Sequence, residues 1–164
     1  MLEEVSRIYA SLEASSAASP TGRTLQDPTE EARMPVRLNH TIVYCSDQQT
    51  SASSLADLLG LAAPTSFGPF SVVQLANDVS MDFLAQGPVH PQHYAFLVDE
   101  GTFDQIHRRI LDRGIPYWAD PERRMAQRVN TKDGGRGLYW LDPDGHVLEI
   151  LTVPYGGWPE HAGS

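Results

Sequence analysis

The sequence predicts an α+β domain made of two consecutive βαβββ units. Three observations carry that expectation. Strand-like and helix-like segments follow one another in the order β-α-β-β-β, and that order occurs twice. The first strand of each unit contains a histidine, His40 and His93, 53 positions apart. The last strand of each unit carries one carboxylate, Asp82 or Glu149, embedded in otherwise apolar sequence.

Residues 1–34 precede the first unit. Leu2, Val5, Ile8, Tyr9 and Leu12 recur at helical spacing and predict a short amphipathic helix. Ser15–Arg33 is Ser, Ala, Pro, Thr and charge, which predicts a linker or mobile arm. The folded domain is expected over 35–158, with repeats at 37–86 and 91–154 and a tail at 159–164.

Leu38–Tyr44 is β-branched and aromatic, as a strand requires, and Ser46 and Asp47 end it. Ser51–Leu59 reads as a helix, with Ala52, Leu55, Ala56 and Leu59 on one face and Gly60 as its stop. Ala62–Gly68 has room for one short strand. Phe70–Leu75 and Val79–Leu84 are two further strands, joined through Ala76-Asn77-Asp78, where Asn and Asp tolerate positive φ. Gln86–Gln92, with two prolines, bridges to the second unit. There His93–Val98 is a strand, Thr102–Arg113 a helix facing inward through Phe103, Ile106, Ile110 and Leu111, and Gly114 its stop. Ile115–Trp118 is a short strand and Asp120–Gly135 a polar loop rich in Arg and Asp. The unit closes in a hairpin: Leu138–Leu141 and Val147–Val153 flank Asp142-Pro-Asp-Gly145, in which proline fixes φ and glycine supplies positive φ.

A chain of 164 residues suits one domain with a sizeable core. Lys and Arg number 12 against 21 Asp and Glu, a net charge of −9 with no basic block, which argues against a nucleic-acid partner. Cys45 is the sole cysteine, so no disulfide framework is expected and a reducing cytoplasm is the natural setting. No apolar run approaches the roughly 18 residues of a membrane helix. The opening Met-Leu-Glu-Glu lacks the basic and apolar regions of a signal peptide. The expectation is an acidic, cytoplasmic protein without membrane contact.

Glu149 stands alone among Val147, Leu148, Ile150 and Leu151. A carboxylate in such a strand is costly to bury unless something positive meets it. It either faces water on alternation or points into a cavity and binds a cation.

The segments Leu-Asn-His40-Thr-Ile-Val, His93-Tyr-Ala-Phe-Leu-Val and Gly-Gly-Arg136-Gly-Leu-Tyr139-Trp-Leu-Asp-Pro-Asp-Gly-His-Val-Leu-Glu149-Ile, in this order, resemble the vicinal oxygen chelate superfamily. That superfamily includes glyoxalases, bleomycin-resistance proteins and extradiol dioxygenases, and the likeness runs from Arg37 to Tyr155. It implies that the two units build a curved mixed sheet shaped as a cup, with a divalent metal at its base held by His40, His93 and Glu149. Two imidazoles and a carboxylate leave open positions on Fe, Mn, Ni, Co or Zn, where two adjacent substrate oxygens can chelate. The metal then acts as a Lewis acid or presents O₂ beside the substrate. Asp82 falls where some members have a fourth ligand; its shorter side chain equally suits a water-bridged role. Arg136, among glycines, could clamp a substrate carboxylate or phosphate, or stay solvated. Tyr139, Tyr44 and Trp118 line the cup or belong to the core. His90 competes with His93 as a ligand, His107 is expected to face solvent and His146 to cap the hairpin.

The resemblance implies a metal-dependent lyase, isomerase or dioxygenase acting on a small oxygenated metabolite. The alternatives are a metal-free sequestration protein of the bleomycin-resistance type and a fosfomycin-type thiol transferase. The joint presence of two histidines and a glutamate favours an enzyme over sequestration, and the lack of an arginine after the glutamate strand weakens thiol transfer. Single-domain relatives often complete the cup between subunits. A homodimer is therefore expected, with His40 of one chain meeting His93 and Glu149 of the other.

Overall fold

The computed structural model describes residues 37–157. The expected N-terminal helix and linker and the 159–164 tail lie outside the described residues. The first unit comprises β1 (His40–Cys45), α1 (Gln48–Leu59), β2 (Thr65–Phe67), β3 (Phe70–Gln74) and β4 (Ser80–Ala85). The second comprises β5 (His93–Leu97), α2 (Glu100–Asp112), β6 (Tyr117–Trp118), β7 (Gly137–Leu141) and β8 (Val147–Leu151). Each unit forms its own four-stranded sheet, ordered β1-β4-β3-β2 and β5-β8-β7-β6. The first and last strands of each unit run parallel and the other neighbours antiparallel, so both sheets are mixed. The βαβββ repeat is therefore present twice.

The two helices start by the same device. Asp47 accepts the Thr50 N–H at 2.8 Å and Asp99 accepts the Thr102 N–H at 2.7 Å. These bonds hold both carboxyls below the usual carboxylate range. With Asp47 as the cap, α1 begins three residues ahead of the expected Ser51. Gly60, left-handed at φ 74°, stops α1 as the sequence indicates.

Strand alternation then sorts the sheet faces. Val43, Cys45, Met81 and Phe83 pack under α1, while Leu138, Trp140, Leu148 and Ile150 pack under α2 with Phe103, Ile106 and Ile110. All belong to one buried cluster, so a single core serves both units. The opposite faces carry the polar residues. Register places His40, Ile42 and Tyr44 beside Ser80, Asp82 and Leu84 on one of them. On the other, His93, Ala95 and Leu97 lie beside Val147, Glu149 and Leu151, with Tyr139 and Leu141 on the next strand.

The hairpin turn fastens one unit to the other. Gly145 sits at φ 84°, and Asp142 Oδ1 accepts the N–H groups of Asp144 and His146 at 2.9 and 2.8 Å. Asp144 reaches across to accept the Ser46 N–H at 2.9 Å and the Ser51 hydroxyl at 2.8 Å. His146 also crosses, donating from Nε2 to the Tyr44 carbonyl at 2.9 Å while Nδ1 accepts the Gln92 N–H at 2.9 Å. That pair of bonds fixes one neutral tautomer. His146 is thus a buried link between the units rather than a cap of its own hairpin.

Candidate metal centre

Glu149, on β8, is 1% exposed. A carboxylate so buried must be met by donors. The Tyr155 hydroxyl provides one, 2.7 Å from each carboxylate oxygen. Tyr139 OH lies 2.8 Å from Tyr155 OH; since the Tyr155 proton goes to the carboxylate, Tyr139 donates to Tyr155. Burial, the bond to Tyr155 and the charge of Glu149 push the Tyr139 phenol far above its ordinary range. Burial and the bond to Glu149 push Tyr155 up as well. Both phenols keep their protons and serve as donors.

His93, at the start of β5, approaches the same carboxylate from the open side. Its Nδ1 lies 3.1 Å from the Val147 carbonyl, which can only accept, so Nδ1 carries the proton. In the neutral ring Nε2 then holds a lone pair, and it faces Glu149 Oε2 at 3.2 Å. A proton on Nε2 makes the contact an ion pair, and in the neutral ring the same place is open to a cation between the two atoms. An imidazole nitrogen beside a carboxylate oxygen, with the ring's other nitrogen tied to a carbonyl, is a donor set suited to a divalent transition metal. The His93 ring also stacks on Tyr139 with centroids 6.0 Å apart.

The third expected ligand is elsewhere. His40 opens β1, half-buried, with Nδ1 bonded to Asn39 Oδ1 at 2.8 Å. Among the described residues of one chain, no group of three His, Cys, Asp or Glu side chains converges. His93 and Glu149 are brought together; His40 is not brought to them. It belongs instead to an equivalent lattice in the first unit. His40 pairs with Ser80 and Asp82 follows two residues later, just as His93 pairs with Val147 and Glu149 follows two residues later. Asp82 is 6% exposed and accepts the Ser80 hydroxyl at 2.7 Å.

No family model matches the chain. Over 120 residues it is 31% identical to the glutathione transferase FosA of Serratia marcescens, covering 69% of this chain and 78% of that protein. The chain belongs to the vicinal oxygen chelate superfamily. Among solved structures it is similar to oxidase ChaP-H1, at 63% identity and TM-score 0.73 over 75% of this chain and 100% of that one. Oxidase ChaP-H2 is 54% identical, with TM-score 0.73 over 76% of this chain and 98% of the other.

As a vicinal oxygen chelate protein, the chain uses its remaining candidate residues unevenly. Tyr139 joins the His93–Glu149 pair, and Trp118, its register partner on β6, shares that sheet face. Tyr44 lies on the His40 face, half-buried, and gives its carbonyl to His146. Arg136 is drawn to α2. Its Nε donates to Glu100 Oε2 at 2.6 Å, Nη1 to Asp104 Oδ1 at 2.8 Å, and its guanidinium sits 4.3 Å from the centre of the Phe103 ring. The guanidinium is therefore paired with α2 rather than solvated or free above the sheet. Two of its glycine neighbours serve packing: a Cβ on Gly135 would fall 2.8 Å from Val153 Cβ, and one on Gly137 2.8 Å from Asn130 Nδ2. His90 is exposed in its loop. His107 does not face solvent as expected but lies half-buried between Phe103 and Tyr117, its Nε2 without a hydrogen bond and its pKa lowered by burial and by Arg136.

Tyr155 is the site residue that sequence reasoning missed. It lies in the segment after β8, which reads only as an apolar tail. The available signal was the pair Gly156-Gly157, which marks a chain reversal that can return the preceding side chain to the strand.

Proposed function

We propose that this chain is a metal-dependent oxidase that acts on a small molecule bearing two adjacent oxygens, at a centre of His40, His93 and Glu149 shared between two copies. The observation that carries the reading is His93 Nε2 facing the buried Glu149 carboxylate at 3.2 Å while Nδ1 is tied to the Val147 carbonyl. The 63% identity to an oxidase supports oxidation over lyase or isomerase chemistry.

A bound divalent cation (Fe, Mn, Ni, Co or Zn) would supply Lewis acidity and an anchor for both substrate oxygens. This chain's own residues prepare the place. Val147 fixes the His93 tautomer, Tyr155 and Tyr139 hold the Glu149 carboxylate, and Leu97, Leu141, Val147 and Trp118 give the surrounding face an apolar surface that suits an aromatic substrate. The second copy is called for by the separation of His40 from the pair, and by a face on which His93 is 44% and Leu97 50% exposed. An isologous dimer repeats the junction and yields two equivalent centres.

Metal analysis of untagged protein tests this directly, together with oxygen uptake on catechol- and hydroquinone-type aromatics. About one divalent ion per chain is expected, with oxygen consumed only by the loaded protein. Absence of metal after loading with all five ions would overturn the reading in favour of sequestration. A second reading, thiol transfer, draws on the 31% identity to a glutathione transferase. Glutathione consumption with fosfomycin, and no oxygen uptake on any aromatic, selects it.

A further inference from the structure

Tyr155 lies six positions beyond Glu149, outside every strand, and most of it is in water: the residue is 58% exposed. Its hydroxyl is nevertheless the donor on a carboxylate that is 1% exposed. The chain goes to some length to put it there. Thr152 is tied to Arg136 in both directions, N–H to carbonyl and Oγ1 from N–H, each at 2.9 Å. Val153 then crosses Gly135 at a distance that admits no side chain. A turn closed by the Gly157 N–H on the Pro154 carbonyl at 2.9 Å folds the ring back over β8. Tyr139 donates to the Tyr155 oxygen from below and orients its proton outward to the carboxylate.

The two equal 2.7 Å distances place the phenol oxygen on the bisector of the carboxylate. That is the position a cation would take if Glu149 bound it through both oxygens. His93 Nε2 approaches Oε2 from another side. From this geometry, and resting on the metal reading above, we infer that Tyr155 is a positioning residue for the metal centre. It occupies the two-oxygen mode of Glu149, confines the carboxylate to single-oxygen ligation through Oε2 beside His93, and so keeps a coordination position open for substrate.

The test is Tyr155→Phe, which keeps the ring and removes only the hydroxyl. Co(II) serves as probe, since its visible absorption reports coordination number and its affinity is measurable by chelator competition without any turnover. Wild-type protein and Tyr155→Phe should show the same circular dichroism. The variant should bind Co(II) about 10- to 100-fold more weakly, as loss of an outer hydrogen bond to a metal ligand typically does. Its saturated spectrum should also shift toward higher coordination as Glu149 relaxes to both oxygens. Tyr139→Phe should weaken Co(II) in the same direction but less, because Tyr155 still donates; it also reports on the relay if Tyr155→Phe folds poorly. Equal or tighter Co(II) binding with an unchanged spectrum overturns the inference and leaves the metal reading standing. No Co(II) binding by wild-type protein overturns the metal reading itself, and this inference with it.

Discussion

The two units share a lattice and differ in how they equip it. In both, a histidine opens the first strand and a carboxylate lies two register steps along the last. In the second unit the carboxylate has Tyr139 as its neighbour on β7 and receives Tyr155 from the following segment. In the first, Asp82 has Val72 at the corresponding place on β3 and, among the described residues, the Ser80 hydroxyl as its hydrogen-bond donor. The repeat therefore offers two potential ligand pairs, and phenol donors surround one of them. A buried carboxylate with a single local hydroxyl is a satisfied core group; one with an oriented phenol pair and an imidazole nitrogen 3.2 Å away is the better candidate for the proposed cation. On the proposed reading, the second unit would carry the anchor and the first would contribute His40.

The strongest way to break that comparison is to remove each carboxylate in turn. Glu149→Ala should abolish measurable metal binding, whereas Asp82→Ala should cost no more than about tenfold in affinity, the lower end for a group acting through other ligands. Comparable losses at both positions would show that Asp82 is a ligand in its own right. A second measurement mixes His40→Ala with Glu149→Ala after partial denaturation and reassembly. In a dimer with shared centres both lesions fall in one centre and the other is intact, so about half of the wild-type metal content should return in each heterodimer. Heterodimers that bind nothing would place each centre within one chain.

How much of this was legible follows the range of the interactions. The hairpin turn at Asp142–Gly145 was readable because its chemistry is local: proline, side-chain acceptor and glycine lie within four residues. The repeat was readable because strand and helix periods are local as well. Tyr155 was not, since its return to Glu149 depends on Gly135 leaving room for Val153, an approach between segments that no pattern of apolar residues encodes. The pairing of Arg136 was not legible for the same reason. Glycines around an arginine suggest freedom, but Glu100 and Asp104, spaced one helical turn apart on α2, define an acidic pair that captures it.

That capture gives a smaller prediction. Glu100 and Asp104 are 63% and 61% exposed, so solvent screens both ion pairs. Together with the contact to Phe103, Arg136→Ala should destabilise the fold by only about 1 kcal/mol, read as a shift of the urea midpoint. Metal affinity should be unaffected. A loss of metal binding exceeding the loss of stability would restore Arg136 to the site.

The smallest effect concerns Cys45, and the second unit supplies the substitution. Counting from His40 and His93, the equivalent of Cys45 is Val98. Cys45 is fully buried under α1, and burial, followed by the charge of Asp144, pushes its thiol up to about 11 from an ordinary 9.0. The folded chain thus holds the proton more tightly than the unfolded chain. Below pH 9 both states are protonated and the thiol's contribution to stability is intact. Between pH 9 and about 11 the unfolded thiol ionises while the buried one does not, so that contribution is lost as pH rises. Cys45→Val removes the titration and leaves Ser51 still bonded to Asp144. The buried tyrosines titrate in both proteins and cancel in the difference. The urea midpoint of wild-type protein should therefore fall further between pH 7.5 and pH 10.5 than that of Cys45→Val. Parallel declines would mean that the thiol ionises as easily in the folded chain as in the unfolded one.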